Sequence, residues 1–163
     1  MPSEEIIVAD SSPLIGLAKI GQLDLLPHLA RRVMVPPAVW KEVVGPEGQA
    51  SGAQEVAQCK WIEIIAPEPA TVAPLLILLG EGEAEAIALA QRETSAVLLL
   101  HDLRARKIAA RLNLRRMGTV ALLGQAKQAG LVEKLKPLLD GLLGCGIYIR
   151  KELIEAALKE AGE

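Results

Sequence analysis

Four short apolar runs punctuate the chain: IIVA at 6–9, VMV at 33–35, IEII at 62–65 and VLLL at 97–100. Each is short and largely apolar on both faces, which predicts strands of a parallel sheet covered on two sides. Between them the period changes to that of a helix. One helix is predicted after Asp10, and another at Pro36-Pro37, where proline supplies the right φ and needs no N–H partner. A third is expected over 81–93 and a fourth after Asp102. GTVALLGQAKQAG predicts a further one, and KELIEAALKEAGE a terminal amphipathic helix over about 150–161. Strands alternating with helices imply right-handed crossovers, hence an α/β fold: a three-layer α/β/α domain around a central parallel sheet. No repeat, low-complexity run or long linker divides the chain, so 1–163 reads as a single domain with its core over about 6–155. GPEGQASGAQ at 45–54 is the most loop-like stretch and is expected to act as a mobile flap.

Two polar residues stand where these runs end. Asp10 closes the first, and His101-Asp102 follows VLLL. Ligands of open parallel sheets sit beyond the carboxyl ends of the strands, so both aspartates fall on the edge where a site would lie. Either alone reads better as a helix N-cap. Two at equivalent strand ends favour a site, because a buried charge is costly unless paired or metal-bound.

The helix over 81–93 can be divided by its own geometry. With Glu81 at 0°, Glu85 falls at about 40° and Arg92 at about 20°, one polar face. Glu83 falls at about 200°, between Ala90 and Ile87 on the apolar face. Glu81 and Glu85 therefore read as solvent-facing. Glu83 reads as a site candidate, against the alternative of a first-turn glutamate favoured by the helix dipole. In PPAVWKEVV an apolar arc of Val39, Trp40, Val43 and Val44 has Glu42 at its edge, either a site acid or a boundary residue.

Carboxylates gathered without cysteine or histidine partners suit hard, oxygen-seeking ions, which makes Mg²⁺ or Mn²⁺ the expected cofactor. Composition narrows the picture further. Cys59 and Cys145 lack a CxxC spacing and the only histidines are His28 and His101, so no structural zinc site is assembled. Aromatics are Trp40, Trp61 and Tyr148 alone, which argues against a base-stacking platform for single strands. A signal peptide is not recognisable at the start, and no run reaches the roughly 20 apolar residues of a membrane span, so a cytoplasmic protein is expected. The net charge of −2 says little, but RARKIAARLNLRR over 104–116 carries six basic residues and no acid. Such a stripe is either a solvated helix face or a set of phosphate contacts. A phospho-receiver domain and a P-loop enzyme are both disfavoured: the late-strand lysine and the GxxxxGK[ST] loop are missing.

Four blocks carry a family resemblance when taken together: Asp10 with SSPLIGLAKIGQLDLL behind it, VMVPPAVWKEV, LGEGEAEAIALA and LLLHDLRARKIAARLNL. They resemble the blocks of a PIN-domain protein, nearest to its VapC-like branch. GTVALLGQAKQAGL also fits, and the resemblance covers residues 6 to about 155. It implies a metal-dependent endoribonuclease cleaving RNA phosphodiester bonds, the toxin of a toxin–antitoxin pair. By position it implies an acidic pocket of Asp10, Glu42, Glu83 and Asp102, with Asp10, Glu83 and Asp102 as metal ligands. Glu85 competes with Glu83, because the family's motif has acids at both places. Ser12 would support Asp10 by hydrogen bonding. Arg104, Arg106, Lys107 and Arg111 would contact RNA, and a cognate antitoxin and a homodimer are the further partners implied. One block departs from the pattern: the family has two acids in a row where this chain has His101-Asp102. An imidazole there either ligates Mn²⁺ or merely ends a strand, and it is a poor ligand for Mg²⁺. The alternative is a catalytically degenerate module that binds RNA or a protein partner, for which the apolar LVEKLKPLLDGLLGCGIYI offers a surface.

Overall fold

The run at 6–9 becomes the middle of the sheet. Ile6, Ile7, Val8 and Ala9 are all buried, as a strand covered on both faces requires. The computed structural model describes residues 3–45 and 52–163. Along these residues the chain forms β1 (Ser3–Ala9), α1 (Ser11–Lys19), α2 (Leu25–Leu29), β2 (Ala30–Val35), α3 (Pro37–Val44), α4 (Ala53–Ala57) and β3 (Ile62–Ile64). It continues as α5 (Pro69–Val72), a 3-10 turn (Leu75–Ile77), α6 (Glu81–Arg92), β4 (Ala96–Leu99) and α7 (Leu103–Arg111). Then come β5 (Arg115–Met117), α8 (Thr119–Gln128), α9 (Lys136–Gly144) and α10 (Lys151–Glu160). Part of the expected flap, 46–51, lies outside the described residues.

The sheet has five strands in the order β3-β2-β1-β4-β5, every pair parallel. Val8 pairs with Met34 on one side and with Leu98 on the other. Because side chains alternate along a strand, the sheet feeds two apolar layers. Ile7, Ala9, Val33 and Val35 pack with Leu14 and Leu17 of α1, Leu122 and Leu123 of α8, and Leu139 and Leu142 of α9. Ile6, Val8, Met34, Leu98 and Leu100 pack with Ile87 and Leu89 of α6 and with Ala105 and Ala109 of α7. This is the α/β/α arrangement the alternation of runs implied. Ile87 has no exposed surface, so Ile87→Val should cost about 1 kcal/mol through one lost methylene. Urea unfolding would check this, the midpoint falling with its slope unchanged.

Winding reverses at β1. The chain steps outward from β1 through β2 to β3, then crosses to the other side of β1 for β4 and β5. The carboxyl ends of β1 and β4 are therefore neighbours at the switch point, where open sheets place their ligands.

Several elements were not legible in the apolar runs. β5 is three residues long, and Arg115 and Arg116 are exposed, so it carries no buried-strand signature. It is held instead by pairing with β4, and Arg115 meets Glu5 across the sheet. The 104–116 basic run consequently divides between α7 and β5 rather than lying on one face. LVEKLKPLLDGLLGCGIYI forms α9 and its flanks, and Leu135, Leu139 and Leu142 are buried in the chain's own core. Most of the surface that segment offered a partner is thus already used. The terminal helix α10 has no fully buried residue, yet Ile154, Ala157 and Leu158 lean on the core. Beyond it, Glu163 accepts hydrogen bonds from the Leu135 and Lys136 backbone N–H groups (2.7 and 3.1 Å) and from Lys127 Nζ (3.2 Å). These bonds hold the Glu163 carboxyl below its ordinary range.

Candidate active site

Asp10 follows β1 directly, and its backbone N–H reaches the Leu99 carbonyl of β4 at 3.0 Å. That bond extends the β1–β4 ladder and fixes the residue over the switch point. Only 5% of Asp10 is exposed. It occupies the N-cap position of α1, but its side chain makes no capping hydrogen bond. Burial pushes its pKa up from 3.8 to about 6. The Ser11 backbone N–H opposes this shift, and the charges of Glu83, Glu42 and Asp102 add to it. The other three acids singled out in the sequence are thus each within electrostatic reach of this buried carboxyl.

Each of the other three arrives on a different element. Glu42 projects from α3, and its Oε2 accepts a hydrogen bond from Ser11 Oγ at 2.5 Å. Its Oε1 lies against the first turn of α6, so close that a Cβ on Gly82 would stand 2.7 Å away. Glu83 is half-buried in that same first turn and folds back over Gly80. Asp102 is exposed and caps α7, accepting the Ala105 N–H at 2.8 Å. For Asp102 the capping role is therefore real, and it engages one of the two carboxylate oxygens.

Two expectations are corrected by the structure. Glu85 is not solvent-facing: it is half-buried, and its Oε1 accepts the Ala38 backbone N–H at 3.3 Å. The angular positions treated α6 as though surrounded only by water and core, whereas α3 packs across it. Ser12 is exposed, and the serine that hydrogen-bonds within the cluster is Ser11, which no sequence pattern marked out. Its burial at 9% exposure follows from its position as first residue of α1, directly after Asp10. For His101, where a ligand and a strand-end role were both open, the structure shows one ring nitrogen engaged. Its Nε2 lies 2.5 Å from Thr119 Oγ1, and burial and the Arg106 charge both lower its pKa.

The basic residues sort by exposure. Arg104, Lys107 and Arg111 are exposed, and the helical period puts all three on one side of α7. Arg106 is half-buried, with its guanidinium donating to the Leu100 carbonyl at 3.2 Å. Burial and the nearby Arg116 charge depress its pKa.

A family model described as a PIN domain matches residues 6–163. The chain belongs to the PIN-domain family. No curated protein matches it. PIN domains are typically nucleases and generally use divalent metals. The all-oxygen donor set at this PIN domain's switch point fits such an ion in kind. It is not a closed cage: among the described residues no group of three or more His, Cys, Asp or Glu side chains is drawn together tightly enough to hold a metal ion. Mg²⁺ does not require one, since it is commonly bound through one or two carboxylates with waters and substrate phosphate completing the shell. Among the described residues, no helix is long and apolar enough to cross a membrane.

Proposed function

We propose that this PIN domain is a Mg²⁺- or Mn²⁺-dependent endoribonuclease of the VapC-like branch, the toxin of a toxin–antitoxin pair. The observation that carries the proposal is Asp10, a buried carboxyl that makes no N-cap hydrogen bond to the interior of α1 and has three acids near it. Burial and the neighbouring charges outweigh the backbone hydrogen bond it accepts from Ser11, and a cation would relieve that destabilisation of the charged form. Of Asp10, Glu83 and Asp102, one or two at a time would hold the ion, waters and substrate phosphate completing its shell, with Glu42 completing the acidic pocket. When bound, a divalent ion there supplies an activated water at neutral pH and charge to steady the leaving oxygen. The chain's own part is positional. Asp10 is rigid on the sheet, Glu42 is pinned by Ser11, and Asp102 is oriented by the α7 N-terminus. Arg104, Lys107 and Arg111 would meet the RNA backbone as α7 leads away from Asp102.

The test is RNA cleavage on addition of Mn²⁺ or Mg²⁺, abolished by chelation and by Asp10→Asn. RNA binding, measured without metal so that nothing is cut, would be expected to weaken steeply with salt, because phosphate contacts release counterions. Lys107→Ala with Arg111→Ala should reduce the slope of log K against log salt by about two, one for each phosphate no longer neutralised. An unchanged slope would remove α7 from the RNA path.

A second reading rests on a specific observation. His101 occupies the position where the family has an additional acid, and it is engaged with Thr119. A PIN domain that has lost an acid there would bind RNA or a protein partner without cutting it. Metal-independent RNA binding with no cleavage under any divalent ion would favour that reading.

A further inference from the structure

We propose that Glu85 is a positioning residue for the acidic pocket, acting through α3 on Glu42. The inference rests on the proposed nuclease site for its consequence, though not for its geometry. α3 and α6 exchange carboxylates. Glu42 of α3 reaches the first turn of α6, where Oε1 would stand 2.7 Å from a Cβ on Gly82. Glu85 of α6 reaches the first turn of α3, where Oε1 accepts the Ala38 N–H at 3.3 Å. Each helix thus receives an anion at its N-terminal turn from the other, where orphan N–H groups and the helix dipole favour negative charge.

The sequence around α3 explains why the bond matters. Its start is Pro36-Pro37, with Pro36 at the N-cap making no side-chain capping bond. Pro37 has no N–H, so Ala38 carries the first backbone donor of the helix. Two prolines leave α3 without a cap of its own, and Glu85 supplies the acceptor from across the interface. Glu42 lies one helical turn beyond Ala38, on the same side of α3. Fixing the N-terminus of α3 therefore fixes the line along which Glu42 approaches Ser11 and Gly82. Glycine at 82 leaves room for that approach; any Cβ would displace the Glu42 carboxylate or move the helix.

This assigns separate tasks to the two acids that the motif leaves interchangeable. Glu83 faces Asp10, while Glu85 faces α3 and holds no ion. The distinction is chemical and can be tested. A glutamine at 85 retains the carbonyl oxygen that accepts the Ala38 N–H but loses the charge a metal ligand needs. Glu85→Gln should keep Mn²⁺ affinity and RNA cleavage within about threefold of wild type, whereas Glu85→Ala should lower both by about 10-fold or more, the usual cost of a lost outer partner. Amide hydrogen exchange at Ala38 gives a readout independent of activity: protected in wild type and Glu85→Gln, faster in Glu85→Ala. If Glu85→Gln loses Mn²⁺ affinity as fully as Asp10→Asn does, Glu85 is a ligand and the proposal is wrong. If Glu85→Ala leaves Ala38 exchange and Mn²⁺ affinity unchanged, the clasp has no positioning role. Absence of cleavage in wild type, with Ala38 exchange still following Glu85, would instead sink the nuclease reading and leave the geometric part standing.

Discussion

Asp10→Asn is expected to stabilise the metal-free chain at neutral pH by about 3 kcal/mol while ending divalent-dependent cleavage of RNA. The stability arises from the raised pKa of the buried carboxyl, about 6 against an ordinary 3.8, at about 1.4 kcal/mol per pK unit. The sign follows from proton linkage. Well below pH 3.8 Asp10 is protonated in both folded and unfolded chains, and the folded state's preference for the neutral acid is fully present. As pH rises through about 6 the buried group ionises and that contribution is lost. Asparagine never ionises, and its carbonyl oxygen can still accept the Ser11 N–H. The variant and the wild type should therefore unfold together near pH 3 and diverge towards pH 7. For a chain of this size the gap corresponds to a rise of roughly 6–12 °C in midpoint. Saturating Mn²⁺ should reverse the order, because the ion stabilises only the protein that binds it, in proportion to the logarithm of its concentration over Kd. Equal midpoints at pH 7 without metal would mean that the charged form of Asp10 is not destabilised by the fold.

Such a trade of stability for a poised site explains which parts of the sequence were readable. Strands β1, β2 and β4 were legible because central parallel strands need apolar residues on both faces, and Ile6 to Ala9 could hardly be anything else; β3, at the other edge with Ile64 exposed, was legible only through its isoleucines. β5 was not, because an edge strand of three residues with exposed arginines draws its order from its neighbour rather than from burial. The acids at 10 and 102 were visible as punctuation after apolar runs. Angular position on the helix separated Glu83 from Glu81, since one faces the core side of α6 and the other water. It failed for Glu85, whose surroundings come from α3, a helix remote in sequence. Ser11 and Ser12 differ by one position, and only the direction in which α1 leaves the sheet decides which hydroxyl turns inward. Thr119 is a further residue of this kind. It is buried and touches His101 from the start of α8, a pairing that no local pattern announces.

The contrast between Glu83 and Glu81 gives the second large expected effect. Both lie in the first turn of α6, and both would satisfy the preference of a helix N-terminus for acidic residues. If that preference were their whole purpose, Glu83→Gln and Glu81→Gln would behave alike. The structure separates them: Glu83 is the largest of the charges acting on Asp10, whereas Glu81 is exposed to solvent. Glu83→Gln should reduce metal-dependent RNA cleavage by more than about 100-fold, beyond the 10–100-fold typical of outer-shell partners. Glu81→Gln should leave cleavage within about twofold, as expected of a surface substitution away from any special feature. A second consequence needs no activity at all. Removing the Glu83 charge removes an upward push on Asp10, so the Asp10 carboxyl in metal-free Glu83→Gln should titrate at lower pH than in wild type. Carbon-13 NMR of the aspartate carboxyls would follow that titration directly. A lowered Asp10 pKa with cleavage intact would keep Glu83 beside Asp10 but take it out of the chemistry. Cleavage lost with the Asp10 titration unmoved would mean that Glu83 acts elsewhere than at the switch point.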